Sequence, residues 1–184
     1  MKFNKIIILT LLVVGLAACQ EKYEKELIPG SELAGEWFVE TLTGGAVVVG
    51  HERVMTYTTA AADGNQIWFD DAGHIWPVKA KIDANAGDNS FAGTGDNIEA
   101  PVYSYDTLDI IRDENVDPID SVNQNFEGYE TITIMEGKII AGGGVSKTGV
   151  LVDSIYIKAT FSDDPGTEYE ITGHRRTGFV EDDY

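Results

Sequence analysis

Positive charge is scarce in this chain. Thirteen basic side chains face 31 acidic ones, a formal net charge of −18. Nucleic-acid binding needs a basic footprint, so the composition excludes it. It argues equally against adhesion to an anionic membrane by charge, and the acidity itself serves solubility. Cysteine is nearly missing: Cys19 is the only one in 184 residues, so the chain has no internal disulfide and its core must hold the fold together. Long apolar runs are missing too. Residues 6–16 are apolar except for Thr10 and Gly15, and eleven residues are too few to span a bilayer as a helix. A nucleophile elbow of the Gly-x-Ser-x-Gly type is absent, and "GGGVSKTG" is only a superficial likeness. Ser90, Ser104, Ser146 and Ser154 are among seven serines, and His51, His74 and His174 are the three histidines. His51 and His74 fall at expected strand ends and read as loop histidines without a catalytic task. Nothing among the many acids selects a glycosidase-style carboxylate pair. No catalytic residue is assigned.

The N-terminus has the order of an export signal. Lys2 and Lys5 precede the apolar run, which ends in Leu16-Ala17-Ala18-Cys19. That ending resembles the bacterial lipobox. The resemblance implies that residues 1–18 are removed, that Cys19 is acylated, and that the membrane is a partner through this anchor. Several acyl chains on one residue anchor stably, where a single chain binds marginally. Removing the two leader lysines leaves 166 residues with 11 basic and 31 acidic side chains, a net charge of −20. That length suits one domain. Gln20 stands where an aspartate usually marks inner-membrane retention in Gram-negative lipoproteins, so the resemblance points to the outer membrane. "QEKYEKE" (20–26) loosely resembles the acidic export tags of Bacteroidota surface lipoproteins, without a clean acidic run. Periplasmic and surface exposure both stay open. Residues 19–31 read as the acylated cysteine and a flexible tether closed by Pro29-Gly30-Ser31, and residues 32–184 as the folded domain.

That domain reads as all-β. In "WPVKAKID", Trp76, Val78, Ala80 and Ile82 share one face, and Pro77, Lys79, Lys81 and Asp83 the other. In "LVDSIYIKATF", Ile155, Ile157, Ala159 and Phe161 alternate with Ser154, Tyr156, Lys158 and Thr160. Similar runs are expected at 36–43, 53–61, 66–70, 129–136, 138–142 and 168–175, with weaker ones at 89–93 and 100–105. "ADGNQ", "DDAGH" and "EGK" are expected hairpin turns, because Asp-Gly and Asn-Gly-like pairs supply positive φ. Eight or more short strands joined to their neighbours make an antiparallel sandwich or barrel, and up-and-down closure removes exposed edges. Residues 106–128 depart from the pattern. They are acidic, hold Pro118, and read as a long loop with room for a short helix.

The adjacent arginines of "GHRRTGF" bear on closure. On a strand over 168–175, Tyr169, Ile171, Gly173 and Arg175 share the apolar face, so Arg175 points inward. "GEWFVETLT" puts Trp37 and Val39 on one face of the first strand. Closing the barrel sets last strand beside first, with Arg175 across the Trp37 indole, a cation–π contact. Arg176 is expected on the outside, balancing Glu181, Asp182 and Asp183. Gly35-x-Trp37 with a late arginine resembles the signature of the calycins, the lipocalin-like barrels. With the lipobox, "GEWFVE" and "GHRRTGF", the layout also resembles a Bacteroidota lipoprotein family named as lipid-binding putative hydrolases. The resemblance implies a lipocalin-like up-and-down β-barrel of about eight strands; the word hydrolase enters only through that name. The 106–128 stretch departs from a simple eight-stranded barrel.

A barrel of this size fills its interior with side chains or holds one small ligand. Candidate lining residues are Tyr57, Trp68, Phe69, Trp76, Phe91, Tyr103 and Tyr156; one of the adjacent Trp68 and Phe69 must face outward. No cofactor is implied and no metal site is assigned. "DANAGDN" misses the calcium-loop pattern, with Asp88 at its sixth position and Thr94 at its twelfth. Asp70, Asp71 and His74 are explained by a hairpin turn. The leading expectation is an anchored protein that binds a lipid or other apolar small molecule. The alternative is a carbohydrate-binding or scaffolding accessory in an outer-membrane uptake complex; a hydrolase comes third. Aromatics facing inward around a void favour lipid, and coplanar aromatics facing outward favour glycan.

Overall fold

The described residues form eight strands, and they close. The computed structural model describes residues 27–106 and 123–184. Its strands are β1 (Gly35–Thr43), β2 (Ala46–Thr58), β3 (Gln66–Asp70), β4 (Lys79–Asn85), β5 (Ser90–Asp106), β6 (Asn123–Val145), β7 (Leu151–Phe161) and β8 (Asp164–Arg175). Each pairs antiparallel with its neighbours in sequence, and β8 returns to β1 to complete a barrel. Closure leaves the sheet body without an unpaired edge. The first register pair between β1 and β8 is Trp37 with Arg175, so the chain enters and leaves the barrel at one end. We call this the tether end, and the other the far end. Cys19 and residues 1–18, expected to be a leader, lie outside the described residues.

The inward face of each strand builds one core. Trp37, Val39, Val54, Ile67, Phe69, Ala80, Ile82, Phe91, Ile132, Ile134, Ile155, Ile157, Ala159 and Ile171 are all buried. A cavity that admitted water would leave some accessible surface on the side chains lining it. Trp37, Val39, Val54, Ile67, Ala80, Ile82, Ile132, Ile157 and Ala159 have none. Around these residues the barrel body is solid.

The structure moves several expected boundaries. "EGK" is no turn: residues 129–136 and 138–142 belong to one strand, β6. Gly137 is buried there because the Phe91 ring packs on it, and a Cβ would overlap that ring. The glycine marks a close approach, which composition alone cannot tell from a bend. The weak runs at 89–93 and 100–105 likewise merge into β5. The strand expected at 53–61 starts earlier, at Ala46, after a turn at Gly44 and Gly45 that both hold positive φ. The strand expected from Trp76 begins at Lys79, and Trp76 lies in the preceding loop. Within the stretch read as a loop, 123–128 are strand, and 107–122 lie outside the described residues. The end of the expected tether packs on the barrel, with Gly30 buried against Gly64, and Leu33 of the 3-10 turn Ser31–Leu33 joins the core.

Candidate functional site

The tether end is closed around the Trp37 indole. Trp37 is fully buried, and its indole N–H donates to the Thr56 hydroxyl at 2.9 Å. That hydroxyl donates in turn to the Leu33 carbonyl, so the entering 3-10 turn is tied over the barrel mouth. Arg175 lies over the indole with its guanidinium carbon 4.5 Å from the ring centroid. It donates from Nε to Asp153 at 3.1 Å and from Nη1 to the Ala34 carbonyl at 2.8 Å. Gly35 is part of the arrangement, because a Cβ there would stand 2.7 Å from Arg175 Nη1 and 3.0 Å from the indole. Arg176 points the other way. It grips both Asp183 oxygens, at 2.8 and 2.7 Å, and donates to Glu36 at 2.9 Å.

The far end is closed by a folded loop between β3 and β4. Asp71, 2% exposed, accepts from the backbone N–H groups of Gly73, Ile75, Trp76 and Val78. Asn97, 3% exposed, holds the loop from β5: it donates to the Pro77 carbonyl at 2.7 Å and accepts from Lys79 N–H at 3.0 Å. Clamped between them, Trp76 stacks on Phe161 at 5.1 Å and 7°, meets Tyr169 edge-on, and donates from its indole to Asp163. Tyr169 donates to Asp164, and that bond, with burial, pushes the phenol up to about 12. Asp70 and His74, considered beside Asp71 as metal ligands, have other partners. Asp70 pairs with Lys79 at 3.0 Å and accepts from Tyr57, and His74 faces Glu52. Burial pushes the Asp70 carboxyl up, but the Lys79 ammonium, the Ala72 N–H and the Tyr57 hydroxyl outweigh it and lower it overall. Among the described residues no three His, Cys, Asp or Glu side chains are placed to hold a metal.

The remaining aromatic candidates scatter. Phe69 and Phe91 are core. Tyr57 and Trp68 stack on the outer wall at 6.4 Å, with Lys79 and Lys81 ammonium groups over their rings. Tyr156 is half-buried on the same outward alternation as Ser154 and Lys158. Tyr103 belongs to a different feature. Beyond the pair Asp96 and Thr131 the β5–β6 register jumps to Pro101 and Tyr129. From there 101–106 and 123–129 pair only with each other among the described residues, so this two-stranded ribbon projects past the barrel's far end. Tyr103 and Phe126 are direct cross-strand partners with rings 5.8 Å apart at 67°, and Phe126 meets Tyr129 at 5.1 Å and 70°. The three are 40%, 55% and 39% exposed. Sequence reasoning missed Phe126 and Tyr129 because Phe126 lay in the stretch read as loop. The available signal was "NFEGYE", two aromatics around a glycine in otherwise polar surroundings.

Edge-to-face rings in water make a cohesive apolar surface that keeps polar Tyr hydroxyls at its rim. Such a surface can take up an acyl chain or an apolar ring. It lacks the parallel faces on which sugar rings stack. Among the described residues Ser154 and His174 are cross-strand partners, and the buried Nδ1 of His174 has no hydrogen-bond partner. No curated protein matches the chain. Residues 22–180 match the family described as "Lipid-binding putative hydrolase", and membership supports lipid binding in general. With a match over most of its length, the chain belongs to the lipid-binding putative hydrolase family.

Proposed function

We propose that this protein is an outer-membrane lipoprotein, anchored through Cys19, that binds a lipid or similar apolar small ligand against the far-end ribbon of Tyr103, Phe126 and Tyr129. The carrying observation is that exposed edge-to-face triad, on a strand pair that extends past the barrel. Clustered exposed apolar side chains on a soluble domain mark contact sites. The solid body of the barrel moves the ligand from the interior, where the barrel architecture first suggests it, to the rim. The non-parallel rings favour lipid over glycan. The lysines over Tyr57 and Trp68 cover the outward rings that a sugar would otherwise use.

Binding of a fluorescent fatty-acid analogue tests this reading. Wild-type protein should bind saturably near micromolar, about −8 kcal/mol. Phe126→Ala should weaken binding roughly tenfold, the loss of about 1.4 kcal/mol expected when a central contact ring is removed. Trp68→Ala, on the outer wall, should leave it unchanged. Equal affinity in all three proteins would rule out the ribbon as the site.

A further inference from the structure

The tether end carries a second exposed apolar surface. There the β6–β7 hairpin ends in Val145, Val150 and Leu151, which are 57%, 47% and 70% exposed. Beside it, Phe179 and Val180 are 65% and 81% exposed at the start of the C-terminal 3-10 turn Val180–Asp182. Hydrogen bonds lock the two segments together. Thr148 N–H donates to Asp182 at 2.7 Å and Lys147 donates to the Asp183 carbonyl at 2.7 Å, and within the C-terminal segment the Thr177 hydroxyl donates to Asp182 at 2.6 Å. Asp182 is 1% exposed, so this carboxylate faces inward, while Lys147, Thr148 and the aliphatic side chains face out. The barrel core does not need Leu151 or Val180, and they present a fixed apolar rim to whatever lies below.

The position of the chain start says what lies below. The described chain begins at this end with Leu27 and Ile28, themselves 73% and 50% exposed. The Ile28 carbonyl accepts from Ser31 N–H, and Gly30 packs on the β2–β3 loop at Gly64. Eight peptide steps lead from Cys19 to Leu27, a contour of at most about 28 Å. An acyl anchor on Cys19 therefore holds this end of the barrel, and not the ribbon end, close to the bilayer. We infer that the rim of Val145, Val150, Leu151, Phe179 and Val180 rests on the lipid surface, so that the anchored protein stands on its tether end with the aromatic ribbon directed away. The inference rests on acylation of Cys19 and is independent of what the ribbon binds. The contact is apolar. The net charge of −20 after leader removal opposes attraction to anionic headgroups, so a zwitterionic surface suffices.

The test uses the full acylated chain in phosphatidylcholine vesicles, with brominated phosphatidylcholine as the quencher. Leu151→Trp and Val180→Trp report the rim, and Ile98→Trp, at a 43% exposed position toward the far end, is the control. All three positions are exposed, so the fold tolerates them. The tryptophans added at 151 and 180 should lose emission to the brominated lipid, and the one at 98 should not. Chains that float with the vesicles but show equal quenching at all three positions would overturn the inference alone and leave the rim to a protein partner. Chains that fail to float would overturn the Cys19 anchor and this inference with it.

Discussion

Arg175 spreads its guanidinium 4.5 Å from the centre of the Trp37 indole, joining the last strand to the first across the mouth of the barrel. The contact combines a cation–π attraction with hydrogen bonds to Asp153 and to the Ala34 carbonyl. Arg175→Ala should therefore destabilise the fold by about 1–2 kcal/mol, through the lost ring contact and the packed side-chain stem. Arg176→Ala should do less, since its partly exposed ion pairs with Asp183 and Glu36 come without the aromatic contact that Arg175 makes. Its clearer effect should be faster carboxypeptidase trimming of the C-terminus. Denaturation midpoints that fall equally in both variants would contradict the assigned roles.

Gly137 and Gly87 make a matched pair. A methyl group on Gly137 runs into the Phe91 ring and the strand behind it, whereas one on Gly87 meets only an Asn85 oxygen at 3.4 Å. Gly137→Ala should cost about 2 kcal/mol through overpacking. Gly87→Ala should stay within about 0.5 kcal/mol of wild type, as surface changes do. Urea unfolding measures both, and a tolerated alanine at 137 would mean that β6 and Phe91 are not packed as described.

The far-end loop depends on one carboxylate. Asp71→Ala strands four backbone N–H groups, and hydrogen bonds to a charged acceptor contribute about 1.5–3 kcal/mol each at most, with strong overlap within one site. A loss of about 2–3 kcal/mol overall is expected. Trp76, released from Phe161 and Tyr169, should shift its emission to the red. An unshifted spectrum would mean that Asn97 alone holds the loop.

Protonation of His174 should weaken the fold. Its ring lies against Phe38, and Tyr184 stacks on His51 alongside. Burial, and then the neighbouring His51, push its pKa below the ordinary value, against a smaller opposing pull from Asp182. The unfolded chain takes up a proton near pH 6.5 that the folded chain still refuses, so stability falls as the pH drops through about 6.5 and levels off below the folded pKa. Thermal midpoints should be lower at about pH 5.5 than at about pH 7.5, and His174→Gln should shrink that difference. Carboxylates held low, such as Asp70, lose their contribution only below about pH 5 and do not enter this window. A pH difference that survives unchanged in the variant would assign it elsewhere.

Strand parity was readable where one face is core and the other is water. Ile155, Ile157 and Ala159 are buried on β7, and Val78, Ala80 and Ile82 on and before β4, as their alternation implies. It also predicted that one of the adjacent Trp68 and Phe69 faces outward; Trp68 does. Reading failed where the two-sided pattern breaks down. The first half of β2, "AVVVGHE", is apolar without alternation and exposed, with Val47 and Val48 at 53% and 51%, so no period marks it as strand. Gly137 carries turn composition for a packing reason. The ribbon strand at 101–106 shows as only a weak run and its partner at 123–128 escapes, because a strand pair outside the barrel has no core face and its acidic surroundings resemble a loop. Asp71 and Asn97 look like ordinary turn residues, and only the fold gathers their backbone partners.

The location of the bound ligand tests the account most directly. A fatty acid bearing a photoreactive diazirine, bound to the protein and illuminated, labels the residues that line its site, and peptide mapping reads them out. The account predicts label on the peptides holding Tyr103, Phe126 and Tyr129, and its loss in Phe126→Ala. Label concentrated on interior residues such as Phe69, Ile132 and Ile157 would contradict it, because it would mean that the solid barrel opens to take the ligand inside.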